Sequence, residues 1–223
     1  MIAGKNKIRI IFIGTPLFAI PSLEALIGDE QFDIVAVITQ PDKKVGRKQI
    51  IASGPVKVVA EKNNITVIQP NKISSRIMRD EILSFRPDII VVAAYAQIIP
   101  ESILNIPKYG CLNVHGSLLP RHRGASCIQA AIMSGDKKTG VTIMKMDKGL
   151  DTGPILAQKA IPILPTDTAG SLYDKLAKLG AELLIPTLKN YIAEKIKPRP
   201  QDNSLATYAG ILKKEDGKID WTK

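Results

Sequence analysis

The chain carries two histidines, two cysteines and one tryptophan in 223 residues. These residues show no metal-ligand spacing, and no metal is expected. Cys111 and Cys127 lack metal-ligand spacing and read as reduced thiols, not as a disulfide framework. Aromatic residues make up 4% of the chain and are not interleaved with basic ones. That argues against a stacking platform for single-stranded bases. No apolar run approaches the ~20 residues of a spanning helix. The basic start "MIAGKNKIRIIFIGTP" runs into a turn rather than a leader cleavage site. A cytoplasmic protein without a membrane partner is expected. Glycine is sparse where a dinucleotide site needs it: the first strand-to-helix turn, "IGTPLFAIP", has only Gly14, and Pro16 removes an amide donor. NAD and ATP are therefore not expected as cofactors. Acidic residues are also in deficit, 21 against 31 Lys and Arg, for a net charge of +10. The excess suits a polyanionic partner met mostly through phosphates, or simply a solvated lysine-rich surface.

Apolar runs alternate with amphipathic ones. "KIRIIFIG" (7–14), "FDIVAVITQ" (32–40), "ITVIQP", "PDIIVVAAY" (87–95) and "GCLNVHG" (110–116) read as strands. Helical spacing links Leu17, Ile20, Leu23 and Leu26. It returns in "SGPVKVVAEKNN", with Ser53 near the cap, and in "SSRIMRDEILSF" (74–85). Strands apolar on both sides and separated by helices predict an α/β fold. It is Rossmann-like, with a mainly parallel sheet and helices on both faces. After residue 138, "TGVTIMKMD" and "GPILAQKAIPI" are joined by a short loop, which predicts antiparallel strands added at the C-terminal end. "TAGSLYDKLAKLGAELLIPTLKNYIAE" (168–194) predicts a long amphipathic helix. Residues 1–195 are expected to form one domain. Residues 196–223 are polar and basic and read as a linker or tail.

Both histidines fall in "NVHGSLLPRHRG" (113–124). Ligands of a parallel sheet bind beyond the carboxyl ends of its strands. Asn113 and His115 lie at such an end, two residues apart and so on one side of the strand. An amide donor and an imidazole converging there can meet a developing oxyanion and carry a proton, or form a satisfied buried pair. Leu118, Leu119 and Pro120 either line a pocket or pack inward. Arg121 and Arg123 either meet an anion or are solvated. In "MDKGLDTGPI" (146–155), Asp147 and Asp151 are both candidates for orienting the histidine, although loop carboxylates are more often turn formers. "QPDKKVGRKQ" (40–49) places Lys43, Lys44, Arg47 and Lys48 after the second strand, over the same edge.

Five stretches together resemble the methionyl-tRNA formyltransferase family: "IGTPLFAIPSLEAL", "TQPDKKVGRKQ", "NVHGSLLPRHRGA", "GVTIMKMDKGLDTGPIL" and "DTAGSLYDKLAKLGAELL". The likeness is collinear from about residue 7 to residue 221. The Asn-x-His-x-Ser-Leu-Leu-Pro core is also similar to glycinamide ribonucleotide and sugar-nucleotide formyltransferases. "GLDTGPIL", the "TQPD…GR" loop and "ATYAGILKKEDGKIDW" favour the tRNA branch. The resemblance implies a Rossmann-like formyltransferase fold and 10-formyltetrahydrofolate as formyl donor. It also implies initiator methionyl-tRNA as acceptor, in a monomer active in translation initiation. Asn113, His115 and Asp151 take catalytic roles, while Ser117, Leu118, Leu119 and Pro120 contact folate. Lys43, Lys44, Arg47 and Lys48 contact tRNA. His122 becomes a loop neighbour of the site. Cys127 stands where the family usually has proline, and Ala96 where glycine is frequent. The family also has a C-terminal β-barrel of about a hundred residues, so 1–195 is expected to be the catalytic domain and 196–223 a linker and the truncated start of that barrel. Two other outcomes stay open: formyl transfer to a small amine such as a sugar nucleotide or purine precursor, and an idle remnant that binds folate or RNA without turnover.

Overall fold

Strand β1 (Ile8–Gly14) sends Ile10 and Phe12 to one side and Ile11 and Ile13 to the other, and all four are fully buried. A strand with no polar face must be covered twice. The computed structural model describes residues 7–45, 50–219 and 221, and it supplies both covers. A 3₁₀ turn, Leu17–Ala19, leads into helix α1 (Ile20–Ile27), and β2 (Phe32–Ile38) returns parallel to β1. A two-stranded ribbon follows, β3 (Lys43–Val45) antiparallel to β4 (Ile50–Ala52). Helix α2 (Pro55–Lys62) starts after Gly54 rather than Ser53, with Pro55 at its first position, where a missing amide costs nothing. Then come β5 (Val67–Ile68), α3 (Arg76–Ser84, capped by Ser75), β6 (Ile89–Ala93), the short α4 (Glu101–Leu104) and β7 (Cys111–His115). Helix α5 (Cys127–Met133) precedes the hairpin β8 (Lys138–Lys145) and β9 (Ile155–Pro162), and α6 (Ala169–Ile192) follows.

The main sheet has seven strands in the order β5-β2-β1-β6-β7-β8-β9. Pairing is parallel from β5 through β7, and β8 and β9 run antiparallel. One core joins Phe12, Val91, Leu112 and Val114 to Leu23 of α1, Val56 of α2, Ile128 of α5 and Leu172, Leu176 and Leu188 of α6. The other joins Ile11, Ile13, Ile90 and Cys111 to Met78 and Ile82 of α3 and Ile103 of α4. The predicted fold class, strand order of appearance and added antiparallel pair are all present. The ribbon and the helices α4 and α5 were not predicted. Each is too short for its apolar spacing to separate from loop.

Residues 199–209, within the segment expected to be a linker, are pinned to the rest of the chain. Ile155 and Arg199 exchange two backbone hydrogen bonds, and Arg123 bridges to Tyr208 through backbone bonds with Thr207 and Ala209. These contacts are polar, which is why a segment poor in apolar residues is nonetheless held in place.

Candidate active site

Strand β7 positions the site. Leu112 and Val114 enter the core under α6, while Cys111, Asn113 and His115 alternate with them and face the opposite side. The sheet neighbours hold the register: Asn113 lies opposite Met144 and His115 opposite Thr142 on β8. The approach of α6 is close, because Gly180 lies where any Cβ would come within 2.7 Å of Val114.

Asp151 sits in the β8–β9 connection with a φ of +52°, and its carboxylate is aimed at the end of β7. One oxygen accepts from Asn113 Nδ2 at 3.4 Å. The other accepts from the backbone amide of Gly124 at 2.7 Å and lies 3.6 Å from His115 Nδ1. The second imidazole nitrogen, Nε2, is 3.0 Å from the His122 carbonyl. An N–H there fixes the ring's orientation and turns Nδ1 to the carboxylate. Burial opposes a charged imidazole, but the Cys127 sulfur, the Asp151 carboxylate and the His122 carbonyl outweigh it and push the pKa up to about 9. These neighbours favour the charged form of the ring.

The two candidate aspartates are separated by geometry. Asp147 accepts from Gly149 N at 3.0 Å and from Thr152 Oγ1 at 2.6 Å, and so closes its own turn. Asp151 alone joins Asn113 to His115. The SLLP loop folds back against β8. The Ser117 hydroxyl is fully buried and donates to the Arg121 carbonyl at 2.6 Å. Leu119 packs with Met144 and Ile155. The side chains of Ser117 and Leu119 therefore shape the loop from inside, and Leu118 and Pro120 are half-buried at its surface. Thr142 Oγ1 anchors the loop by donating to the Ser117 carbonyl at 2.7 Å and accepting from Leu119 N at 3.1 Å.

Of the two arginines of "PRHRG", Arg121 is exposed, as one of the two readings had it, and Arg123 fits neither. Arg121 and His122 both pair with Asp136, with His122 Nε2 2.7 Å from its Oδ2. Burial disfavours the Asp136 charge, yet these donors hold its carboxyl below the usual range. Arg123 is neither solvated nor free for an anion. It is 2% exposed, and its guanidinium donates to Gln201 and Asn203. Sequence reasoning missed Gln201, Cys127 and the His122 carbonyl. Nothing in the local pattern marks a backbone carbonyl or a tail glutamine as part of a site.

A cavity of about 620 Å³ opens on the other flank of the loop, lined by Leu118, His122, Asp136 and Thr139 among others. Asn113, His115 and Asp151 do not line it. Of the basic loop, Lys43 is exposed on β3, the Lys44 side chain is not described, and Arg47 and Lys48 lie outside the described residues. The loop's base is fixed: Asp42 accepts from Lys57 Nζ at 2.6 Å and from Gln69 Nε2 at 2.7 Å, and Gln40 donates to the Tyr95 carbonyl. Among the described residues no group of three His, Cys, Asp or Glu is placed to hold a metal ion. No described helix is long and apolar enough to cross a membrane.

The formyl transferase family profile matches residues 6–188. A methionyl-tRNA formyltransferase from Geobacillus sp. (strain WCH70) is 51% identical over 216 residues, which cover 97% of this chain and 68% of the relative. The methionyl-tRNA formyltransferase of Geobacter sulfurreducens is 49% identical over the same shares. Among solved structures, WlaRD, a sugar 3N-formyl transferase determined in the presence of dTDP and 5-N-formyl-THF, superposes with a TM-score of 0.71 at 26% identity. That likeness covers 98% of this chain and 76% of the other. The strand-end trio lies inside the matched region, and identity near one half extends over almost the whole chain: it belongs to the methionyl-tRNA formyltransferases of the formyl transferase family.

Proposed function

We propose that the chain transfers the formyl group of 10-formyltetrahydrofolate to the amino group of initiator methionyl-tRNA, as a cytoplasmic, monomeric enzyme of translation initiation. The observation that carries this reading is the Asp151 carboxylate set between Asn113 and His115 at the carboxyl end of β7. It is supported by identity of about one half to methionyl-tRNA formyltransferases. In this reading residues 1–195 are the catalytic domain. Folate lies along the loop of Ser117, Leu118, Leu119 and Pro120, and the segment of Lys43, Lys44, Arg47 and Lys48 meets tRNA phosphates.

The neutral methionyl amine attacks the formyl carbon, forming the new C–N bond as the carbonyl electron pair moves onto oxygen. Asn113 donates to that oxyanion, and the His115 imidazolium supplies positive charge beside it. Asp151 keeps the imidazole charged and oriented, and it can relay the proton lost by the amine to the folate nitrogen. The C–N bond to folate then breaks with its electrons on that nitrogen. Asn113 is 3.4 Å from Asp151, a long contact that is readily exchanged for an incoming oxygen.

The test is a transfer assay with 10-formyltetrahydrofolate, comparing methionylated initiator tRNA with glycinamide ribonucleotide and an amino-sugar nucleotide. Formyl-methionyl-tRNA as the dominant product is expected. Preference for a small amine would move the acceptor to another branch of the family, and no product with any acceptor would leave a binding protein.

A further inference from the structure

We propose that Gln201 is a positioning residue for this reaction: with the buried Arg123, it locks the Asp151 backbone so that the carboxylate stays between Asn113 and His115. The proposal rests on the formyl-transfer reading. Asp151 has a left-handed backbone, a conformation that persists for a non-glycine residue only where the surroundings over-determine it. Gln201 provides that constraint. Its Nε2 donates to the Asp151 carbonyl at 2.8 Å and to the Gly153 carbonyl at 2.7 Å, which uses both amide hydrogens. Its Oε1 accepts from Arg123 Nε at 3.1 Å and Nη2 at 2.8 Å. A guanidinium only donates and a backbone carbonyl only accepts, so the glutamine amide has one possible orientation. Arg123 is fixed in turn, because its Nη2 donates to Asn203 Oδ1 at 2.7 Å and its backbone bonds to Thr207 and Ala209.

The contacts close a ring. The amide next to Arg123, that of Gly124, holds the Asp151 carboxylate, while the Arg123 side chain holds the Asp151 carbonyl through Gln201. Gly124 has no room for a Cβ, which would lie 2.4 Å from the Ala209 carbonyl, and Gly153 has none against the Lys145 carbonyl. The later half of the aspartate loop is thus tied to the segment that follows α6 through Gln201. A charge buried among neutral acceptors is expensive unless every donor is directed. Here the donors of Arg123 are directed into the network that aims Asp151.

Gln201→Glu tests this with little change of shape. The oxygen replacing Nε2 would face two carbonyls without a hydrogen, while the other oxygen would keep Arg123 as an ion-pair partner. Stability should be retained, and kcat for formyl-methionyl-tRNA should fall on the order of ten- to a hundredfold with KM little changed, the signature of a displaced catalytic group. The chain has only two histidines, so the His115 ring can be titrated by NMR, with His122→Gln assigning the second signal. Its pKa should fall in Gln201→Glu, because the Asp151 carboxylate is one of the groups that raise it. If that variant does not fold, Gln201→Met removes the two bonds to the aspartate loop, together with the two from Arg123, without adding charge, and the same fall in kcat and shift of the His115 titration are expected. A folded variant with unchanged kcat and an unmoved His115 titration, or with KM alone raised, overturns the proposal. If the unaltered protein makes no formyl-methionyl-tRNA, the functional reading fails, and the titration still decides whether Gln201 positions Asp151.

Discussion

At the scale of single residues, the site depends on which carboxylate faces which ring nitrogen. Asp151→Asn keeps the shape and loses the charge that supports the His115 imidazolium. Steady-state kinetics should show kcat reduced on the order of 10² or more, a loss comparable to removal of an oxyanion donor. Asp147→Asn keeps an amide oxygen that can accept both bonds of its surface turn, so it should cost no more than about 1 kcal/mol in stability and leave kcat nearly unchanged. If Asp147→Asn proves the damaging change, the assignment of the two loop carboxylates is reversed. The same imidazole sets a pH dependence. Its folded pKa, about 9, lies above the unfolded value near ~6.5. The stability it contributes is therefore fully present below pH ~6.5 and lost as pH rises through about 9. Urea midpoints measured across that window should decline more in the unaltered chain than in Asp151→Asn, where the pKa gap is smaller. Asn113 and His115 were visible in the sequence because strand alternation puts residues two apart on one side. The role of His122 was not visible. It acts through a carbonyl, which every residue type possesses.

At the scale of elements, α6 and β7 form the platform beneath the site. Gly180 brings the helix against Val114, between Asn113 and His115. Gly180→Val should push α6 off the strand and destabilise the fold by about 1–3 kcal/mol. A thermal melt would detect this as a drop of several degrees, with a parallel loss of formyl transfer as β7 shifts. An unchanged melting temperature would show that the helix can retreat freely. The course of α6 was legible because Leu172, Leu176 and Leu188 recur at helical spacing and all reach the core. The SLLP loop was only half legible. Its apolar residues fitted either a pocket lining or inward packing, and in the structure Leu119 packs inward while Ser117 spends its hydroxyl on the loop's own backbone.

At the scale of the whole molecule, a net charge of +10 and a basic segment beyond β2 favour long-range attraction of a polyanion. Replacing Lys43, Lys44, Arg47 and Lys48 together by neutral residues should weaken tRNA binding and flatten its dependence on salt. The log–log slope should shrink by about one for each phosphate that is no longer neutralised. Calorimetry with a folate analogue should show no change, since those residues are assigned to the acceptor. An unaltered salt slope would return the segment to a solvated turn. Alternating apolar runs by themselves determined the doubly covered, mainly parallel sheet, because burial on both faces leaves a composition that periodicity can read. They likewise placed Asn113 and His115 at a strand end. Only the tertiary structure decided which aspartate reaches them, and that Arg123 is buried on Gln201, 78 residues away. It also decided that residues 199–209 fold back on the loops that carry Arg123 and Asp151. Those choices are made by directed hydrogen bonds between distant loops, and such bonds leave no periodic trace in the chain that forms them.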